Sequence, residues 1–154
     1  MTPVLIVLLV IAGLAMLVVP VLVIRRVGRR VMAEVLQKYP EHTLSRIDPL
    51  ANLFGVRSRG MKQIRGNGVL LVTSGELYFR MLAPRRELTV PVRDIIGMGV
   101  EKSFLGKSKG IPLLRVDYRD GIGGTDSAAW AVRDVSGWLS TLETLTGKTS
   151  PPQG

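Results

Sequence analysis

The chain opens on an unbroken apolar segment that covers residues 4–24. No side chain in this segment is charged, and 16 of its 21 residues are Val, Leu or Ile. At a helical rise of about 1.5 Å per residue the segment spans roughly 30 Å, the thickness of the hydrocarbon core of a bilayer. The pattern therefore predicts a transmembrane helix over residues 4–24, in which Pro20 is tolerated.

A cleaved signal peptide is the alternative interpretation of an apolar segment in this position. The segment is too long for the apolar part of a signal peptide, and no basic residue precedes it. Arg25, Arg26, Arg29 and Arg30 follow it in place of a small-residue cleavage site. The positive-inside rule then predicts a single-pass protein of the cytoplasmic membrane, with its N-terminus outside and its C-terminal domain in the cytoplasm. The four arginines are also candidate contacts for anionic lipid.

The pattern of residues 25–47 predicts a basic, amphipathic juxtamembrane helix followed by a linker. Apolar and charged side chains fall on opposite halves of a helical wheel from residue 25 to 38, and Pro40 ends the helix. Three placements of this helix remain open: on the membrane surface, against the following domain, or as a plain extension of the anchor. Residues 40–48 are predicted to form the linker.

From residue 50 onward, apolar and polar positions alternate with a period of two, which predicts an antiparallel sheet. In one segment Leu77, Phe79 and Met81 share a face, and Tyr78 and Arg80 share the other. Turn residues separate seven predicted strands, which lie near residues 52–58, 69–73, 76–82, 87–92, 95–104, 113–119 and 127–132.

A single amphipathic helix is predicted to follow the last strand. Asp134 is a suitable N-cap, and Trp138, Leu139, Leu142 and Leu145 form an apolar stripe. We expect burial of Trp138 in the core. Gly147 ends the helix, and residues 147–154 predict a disordered tail.

The composition of the chain limits the classes of protein to which it can belong. About 130 residues follow the anchor, which is enough for one domain with a core. The net charge of +9 is uneven, because residues 1–65 hold 10 basic and 3 acidic side chains whereas residues 66–154 hold 11 and 9. Nucleic-acid binding is not expected, because the charge gathers near the anchor and aromatic residues make up only 5% of the chain.

Three stretches resemble the bacterial PH-like (GRAM-type) domains over residues 48–146. They are the Gly-x-Gly-x-Leu-x-x-Thr pattern at residues 66–73, the Leu-Tyr-Phe at residues 77–79 and the Val-Pro-Val-Arg-Asp-Ile-Ile at residues 90–96. Trp138 in the last helix is similar to the PH pattern as well. The resemblance implies a mainly-β fold of two near-orthogonal antiparallel sheets capped by the C-terminal helix. It also implies a lipid- or protein-binding module that is not an enzyme.

Phosphoinositide-binding members of this family carry a basic loop between their first two strands. The matching stretch here spans residues 57–65, and its basic residues are Arg57, Arg59, Lys62 and Arg65. The stretch departs from the family pattern because it lacks the leading lysine. The alternative interpretation of this set is a solvated hairpin loop.

No motif predicts a catalytic, cofactor or metal site. Residues 106–108 match the end of a phosphate-binding P-loop, but Glu101 occupies the position of the required first glycine. His42 is the sole histidine and the chain has no cysteine, so no zinc site or nucleophile–base pair can be assembled from them. We therefore predict a protein that is not an enzyme.

Two functions are consistent with these features. The first is an adaptor that docks a protein partner, for example as an accessory subunit of a membrane complex, with an apolar contact at Phe104 and Leu105. The second is the binding or sensing of anionic lipid headgroups at the inner membrane surface, with the basic set of residues 57–65 as the contact.

Overall fold

The computed structural model describes residues 2–63 and 65–151 of the chain. These residues confirm the predicted order of an apolar N-terminal helix, seven antiparallel strands and a C-terminal helix. The helices are α1 (Pro3–Lys38) and α2 (Val135–Thr146). The strands are β1 (Leu44–Val56), β2 (Gly66–Thr73), β3 (Glu76–Met81), β4 (Glu87–Pro91), β5 (Ile95–Phe104), β6 (Lys107–Arg119) and β7 (Thr125–Ala131).

Helix α1 runs without interruption from the apolar segment through the basic residues to Lys38. Its 36 residues correspond to roughly 54 Å. By length and composition the helix can cross a membrane, and the side chains of its apolar part lie against no other part of the protein. The juxtamembrane helix predicted from residue 25 is therefore the C-terminal continuation of this same helix.

The strands form one sheet in the order β4-β3-β2-β1-β7-β6-β5, and all neighbours are antiparallel. Strand β1 lies at the centre and changes partner along its length. It pairs with β2 from Leu44 to Leu53 and with β7 from Asn52 to Val56. The change coincides with a register shift at Gly55, whose φ of 152° is accessible to glycine and costly for other residues.

The sheet curves around a single core. On a flat sheet, β3 and β7 would lie three strand spacings apart, or about 14 Å. The ring centroids of Phe79 on β3 and Trp130 on β7 are instead 6.1 Å apart. All seven strands contribute buried side chains to this core, and α2 closes it with Trp138, Leu139 and Leu142.

The predicted ends of α2 are confirmed. The Asp134 carboxylate accepts a hydrogen bond from the Gly137 N–H at 3.0 Å, and Gly147 ends the helix with a φ of 67°. Arg46 of β1 forms an ion pair with Asp134, and its guanidinium lies 5.8 Å from the Trp138 ring centroid. These contacts hold the start of α2 against β1.

The predicted linker at residues 40–48 is wrong, and the sheet begins before the expected domain boundary at residue 48. A short 3₁₀ helix (Glu41–Thr43) leads directly into β1, which starts at Leu44. The early part of this strand was not predicted because Pro49 has no backbone N–H to donate to a β-ladder. The register shift between Asp48 and Ala51 places Pro49 in a bulge, at a level where β1 pairs with β2 but not with β7.

One further prediction needs correction, and the predicted tail contacts the domain. The strands predicted at residues 95–104 and 113–119 are joined by a two-residue turn, because β6 begins at Lys107 and not near residue 113. In the predicted tail, the described residues up to 151 contact the domain. The ammonium of Lys148 donates to the Ile95 carbonyl, and Ser150 donates to the carboxylate of Glu143. Residues 152–154 of the predicted tail lie outside the described part of the chain.

Trp138 supplies a test of the core. It is 1% exposed, and its replacement by alanine leaves a cavity where α2 meets the sheet. We expect Trp138→Ala to lower the free energy of unfolding by about 3–5 kcal/mol, measured by thermal or denaturant unfolding of the full chain in detergent. Ser140→Ala, on the exposed side of the same helix, is the control and should change stability little. A Trp138→Ala variant as stable as the control would contradict this packing.

Candidate membrane-facing and docking surfaces

The last turns of α1 pack on the outer face of the sheet, opposite the core. The contact is an apolar cluster of three side chains from the helix end and three from β2 and β3, all buried: Val31, Val35, Tyr39, Val69, Leu71 and Tyr78. Of the three placements left open for the juxtamembrane helix, residues 31–39 therefore take the one against the domain.

Polar contacts surround this apolar cluster. Glu34 of α1 forms an ion pair with Arg80 of β3 at 2.6 Å, and the Arg80 side chain is only 9% exposed. The Tyr39 hydroxyl donates to the Glu76 carboxylate, and burial together with this hydrogen bond raises the pKa of Tyr39. The Lys38 ammonium lies 4.4 Å from the ring centroid of Tyr78. We call this set of contacts between α1 and β2–β3 the clamp.

The order of contacts in the clamp gives the direction of the strands. Glu34 meets Arg80, and farther from the apolar segment Tyr39 meets Glu76. Strand β3 therefore runs opposite to α1, and its C-terminal end points toward the apolar segment.

The register of the neighbouring strands extends this direction to two connections. Gly68 of β2 is opposite Met81 of β3, and Leu53 of β1 is opposite Gly66 of β2. The β3–β4 turn (residues 82–86) and the described part of the β1–β2 connection (residues 57–63 and 65) thus both lie at the end of the sheet that faces the apolar segment. We call this the proximal end.

The predicted basic set lies in the β1–β2 connection, but its members do not share one environment. The guanidinium of Arg57 lies 5.9 Å from the Phe104 ring centroid, and that of Arg65 lies 4.6 Å from the Phe54 ring centroid. All four basic residues are exposed, and Arg59 and Lys62 have no such aromatic ring among their described contacts. The structure thus brings the four basic residues to one connection, where two of them stack on aromatic rings.

The β1–β2 connection is tied to the sheet by hydrogen bonds. Gln63 bonds to both the N–H and the carbonyl of Val56, at 2.8 and 2.6 Å, and its own carbonyl accepts from the Lys107 ammonium at 2.7 Å. Ser58 donates through its N–H and hydroxyl to Asp126, at 3.0 and 2.6 Å. Although burial opposes its ionisation, these hydrogen bonds lower the pKa of Asp126. Lys107, from the P-loop-like stretch, here has a structural role.

Phe104 and Leu105 do not form the exposed apolar contact that was predicted. Phe104 is 4% exposed and belongs to a third apolar cluster, together with Phe54, Leu113, Ala129 and Ala131. Leu105 is partly buried against the same cluster. The β5–β6 hairpin brings both residues onto the outer face of the sheet beneath the β1–β2 connection, which buries Phe104 and partly covers Leu105.

The four arginines after the apolar segment are all exposed. Arg25, Arg26, Arg29 and Arg30 occupy the part of α1 between the apolar segment and the clamp. Their guanidinium groups therefore lie where a span over residues 4–24 would place the lipid headgroups.

A groove along the edge strand β5 was missed by the sequence analysis. The β5–β6 pairing passes from Glu101–Leu113 to Ser103–Ser108, so residues 109–112 loop out opposite Lys102. A groove of about 720 Å³ results, and it is lined mainly by residues of these two strands and by Pro151. Ile111 on its wall is 42% exposed. The flanking Gly110 and Pro112 were the available signal of a bulge.

The described residues contain no group of three His, Asp or Glu side chains close enough to hold a metal ion. His42 is exposed on the 3₁₀ helix before β1. The Asp126 carboxylate is occupied by Ser58 and lies 3.4 Å from the Tyr118 hydroxyl.

Comparison with known protein families finds no match, and comparison with curated proteins finds none either. Solved structures do match. The C-terminal domain of an unknown protein from Leishmania infantum aligns with a TM-score of 0.53 at 14% identity, over 76% of this chain and 98% of that one. A chain of the 8S snRNP assembly intermediate aligns with a TM-score of 0.54 at 12% identity, over 75% of this chain and 93% of that one. At these identities the likeness concerns the fold alone.

The ion pair in the clamp can be tested by a double-mutant cycle. Because Glu34 is about half exposed and Arg80 is buried, we expect Glu34→Gln and Arg80→Met to be coupled by roughly 0.5–2 kcal/mol in the unfolding of the full chain. Arg30→Gln, on an exposed part of the same helix, should show no coupling with Arg80→Met. Additive effects of the Glu34 and Arg80 substitutions would show that the ion pair does not hold α1 to the sheet.

Proposed function

We propose that this protein is a single-span membrane protein whose PH-like domain is a non-catalytic docking module for a protein partner. The clamp is the observation that carries the proposal. Because α1 continues from the apolar segment onto β2 and β3, the domain is presented beside the membrane in one orientation. Such an arrangement suits an adaptor or an accessory subunit of a membrane complex.

The proposed location is the cytoplasmic face of the cell membrane. The apolar part of α1 has the length and composition of a span. The exposed arginines at residues 25–30 favour the cytoplasmic side for everything that follows them.

A PH-like domain is the finer assignment of the fold. The strand order supports it, because β1–β4 and β5–β7 are two successive meanders joined through β1 and β7, with a helix after the last strand. The bulge at Gly55 and the curvature around Trp130 are in keeping with two near-orthogonal halves. The likeness of fold to solved structures adds no function.

The groove at β5 is the proposed docking surface for the partner. Within the described residues β5 pairs with β6 alone and is therefore an edge strand; its Ile95 carbonyl accepts from Lys148, and the edge beyond Ile95 is where a further segment is proposed to add. Ile111 supplies an apolar contact on the wall of this groove. Once a domain is anchored, weak docking of a neighbouring membrane protein becomes effective through local concentration.

We expect Ile111→Arg in the full chain to release the partner that co-purifies from membranes in mild detergent. Ile122→Arg is the matched control, because Ile122 is 92% exposed in the β6–β7 turn and lies outside the groove. A photo-crosslinking side chain at position 111 should form an adduct with the same protein, and one at position 122 should not. Equal co-purification with both arginine variants would contradict docking at the groove.

The orientation of the proposed span can be tested in intact cells. Because the chain has no cysteine, Thr2→Cys and Lys109→Cys are single thiol probes on the two sides of the proposed span. A membrane-impermeant thiol reagent should label position 2 and leave position 109 unlabelled. The reverse labelling would place the groove outside the cell and exclude a cytoplasmic partner.

A further inference from the structure

We propose that the segment bound at the β5 groove is an extended, acidic part of the partner protein. In this arrangement, carboxylates of the partner pair with Lys102 and Lys109, and an apolar side chain of the same segment packs on Ile111. The inference rests on the proposed function and adds the chemistry that the partner must have. It follows from a glycine on the edge strand, from the ion pairs of the groove and from the contacts of the C-terminal tail.

A glycine on β5 lets another backbone approach the edge of the sheet. Gly99 lies opposite Arg115 of β6, and both residues line the groove. A Cβ atom at position 99 would lie 3.3 Å from a guanidinium nitrogen of Arg115, which is closer than ordinary van der Waals contact. A glycine inside a strand often marks the close approach of a second backbone. Gly99 therefore leaves room for an extended segment beside β5.

The ion pairs of the groove leave two lysines for a partner. One acidic and two basic residues line the groove, namely Glu101, Lys102 and Arg115. Arg115 is already neutralised by ion pairs with Glu101 and Asp117. Lys102, and Lys109 in the loop opposite it, are exposed and form no ion pair within the described residues. The charge that remains for a partner is therefore positive and complements carboxylates.

An apolar contact lies beside the lysines. Ile111 and Pro112 follow Lys109 in the same loop, and both line the groove. Ile111 is 42% exposed, so its side chain can be covered by an apolar side chain of the partner. In an extended segment alternate side chains share a face and lie about 7 Å apart. A segment in which acidic and apolar residues follow each other closely therefore fits both kinds of contact.

The C-terminal tail limits where the segment can lie. The Lys148 ammonium donates to the Ile95 carbonyl at the start of β5, and Pro151 lines the groove. The edge of β5 is therefore covered at its first residue. Residues 99–102 of β5 line the groove beyond this contact, and we place the added segment along them.

Binding of short fluorescent peptides to the full chain in mild detergent, measured by fluorescence anisotropy, tests the charge of the segment. One peptide alternates glutamate with valine, and matched peptides carry glutamine or lysine in place of glutamate. We expect the acidic peptide to bind more tightly than the glutamine peptide, by up to about fivefold for each lysine that it contacts. High salt should remove this difference. The lysine peptide should bind least.

Removal of the two lysines tests the place of binding. Lys102→Gln combined with Lys109→Gln should lower the affinity for the acidic peptide to that for the glutamine peptide. Lys62→Gln combined with Arg86→Gln is the matched control, because it removes the same charge from exposed positions outside the groove. An equal loss of affinity in the two double variants would overturn the inference, because the acidic peptide would then respond only to the net charge of the protein.

Hydrogen exchange tests whether the segment adds to the sheet. The acidic peptide should slow the exchange of backbone amides within residues 99–102, because amides on the open edge would gain an acceptor. An acidic peptide with N-methylated alternate amides cannot form the ladder and should leave this exchange unchanged. Bound acidic peptide without any slowing of exchange in β5 would overturn the inference.

The outcomes separate this inference from the proposed function. If the acidic and glutamine peptides bind equally and Ile111→Ser weakens both, the groove binds an extended segment and the preference for acidic residues is overturned. If no peptide binds, or if the lysine peptide binds most tightly, the acidic segment is overturned as well. Docking of the partner at the groove is decided separately by co-purification and by the crosslink at position 111, because neither readout depends on the charge of a peptide.

Discussion

The arrangement of this protein depends on the burial of the end of α1 against the outer face of β2 and β3. Val31, Val35 and Tyr39 cover strand positions that would otherwise be an exposed apolar surface, and Glu34 neutralises the buried Arg80. Burial of apolar side chains stabilises by about 1.5–3 kcal/mol each, which is large beside the total stability of a small domain. The apolar helix and the sheet are therefore parts of one folded unit.

The strands that were predicted most accurately are those whose sequences alternate in the pattern of a strand with one buried face. The alternation of Leu77, Phe79 and Met81 with Tyr78 and Arg80 fixed the core face of β3, and the core does contain the first three. The same alternation could not reveal that Tyr78 and Arg80 are buried too, because their cover is supplied by a helix more than 40 residues earlier in the chain. The unbroken apolar run at residues 69–72 of β2 was a signal of burial on both faces.

The candidate surfaces were harder to predict than the helices and strands, because they depend on which side chains of different strands lie next to each other. The basic connection between β1 and β2 was found from charge alone, but the stacking of Arg57 and Arg65 on aromatic rings required the third apolar cluster. The burial of Phe104 arises from the same cluster. The groove depends on a β6 bulge that one strand's periodicity cannot show. Which end of the sheet faces the apolar segment could be found only from the contacts of the clamp together with the register of the strands.

The central claim is that α1 and the domain move as one body, and a distance between them tests it most directly. Spin labels at Arg26→Cys, above the clamp on α1, and at Ser140→Cys, on the exposed side of α2, report any swing of the helix through a long lever arm. In the full chain, double electron–electron resonance should give one narrow distance distribution. Val35→Asp, which places a charge in the buried contact, should broaden it. A distribution that is already broad without Val35→Asp would contradict the account, because the helix would then hinge near Pro40 and leave the orientation of the domain undetermined.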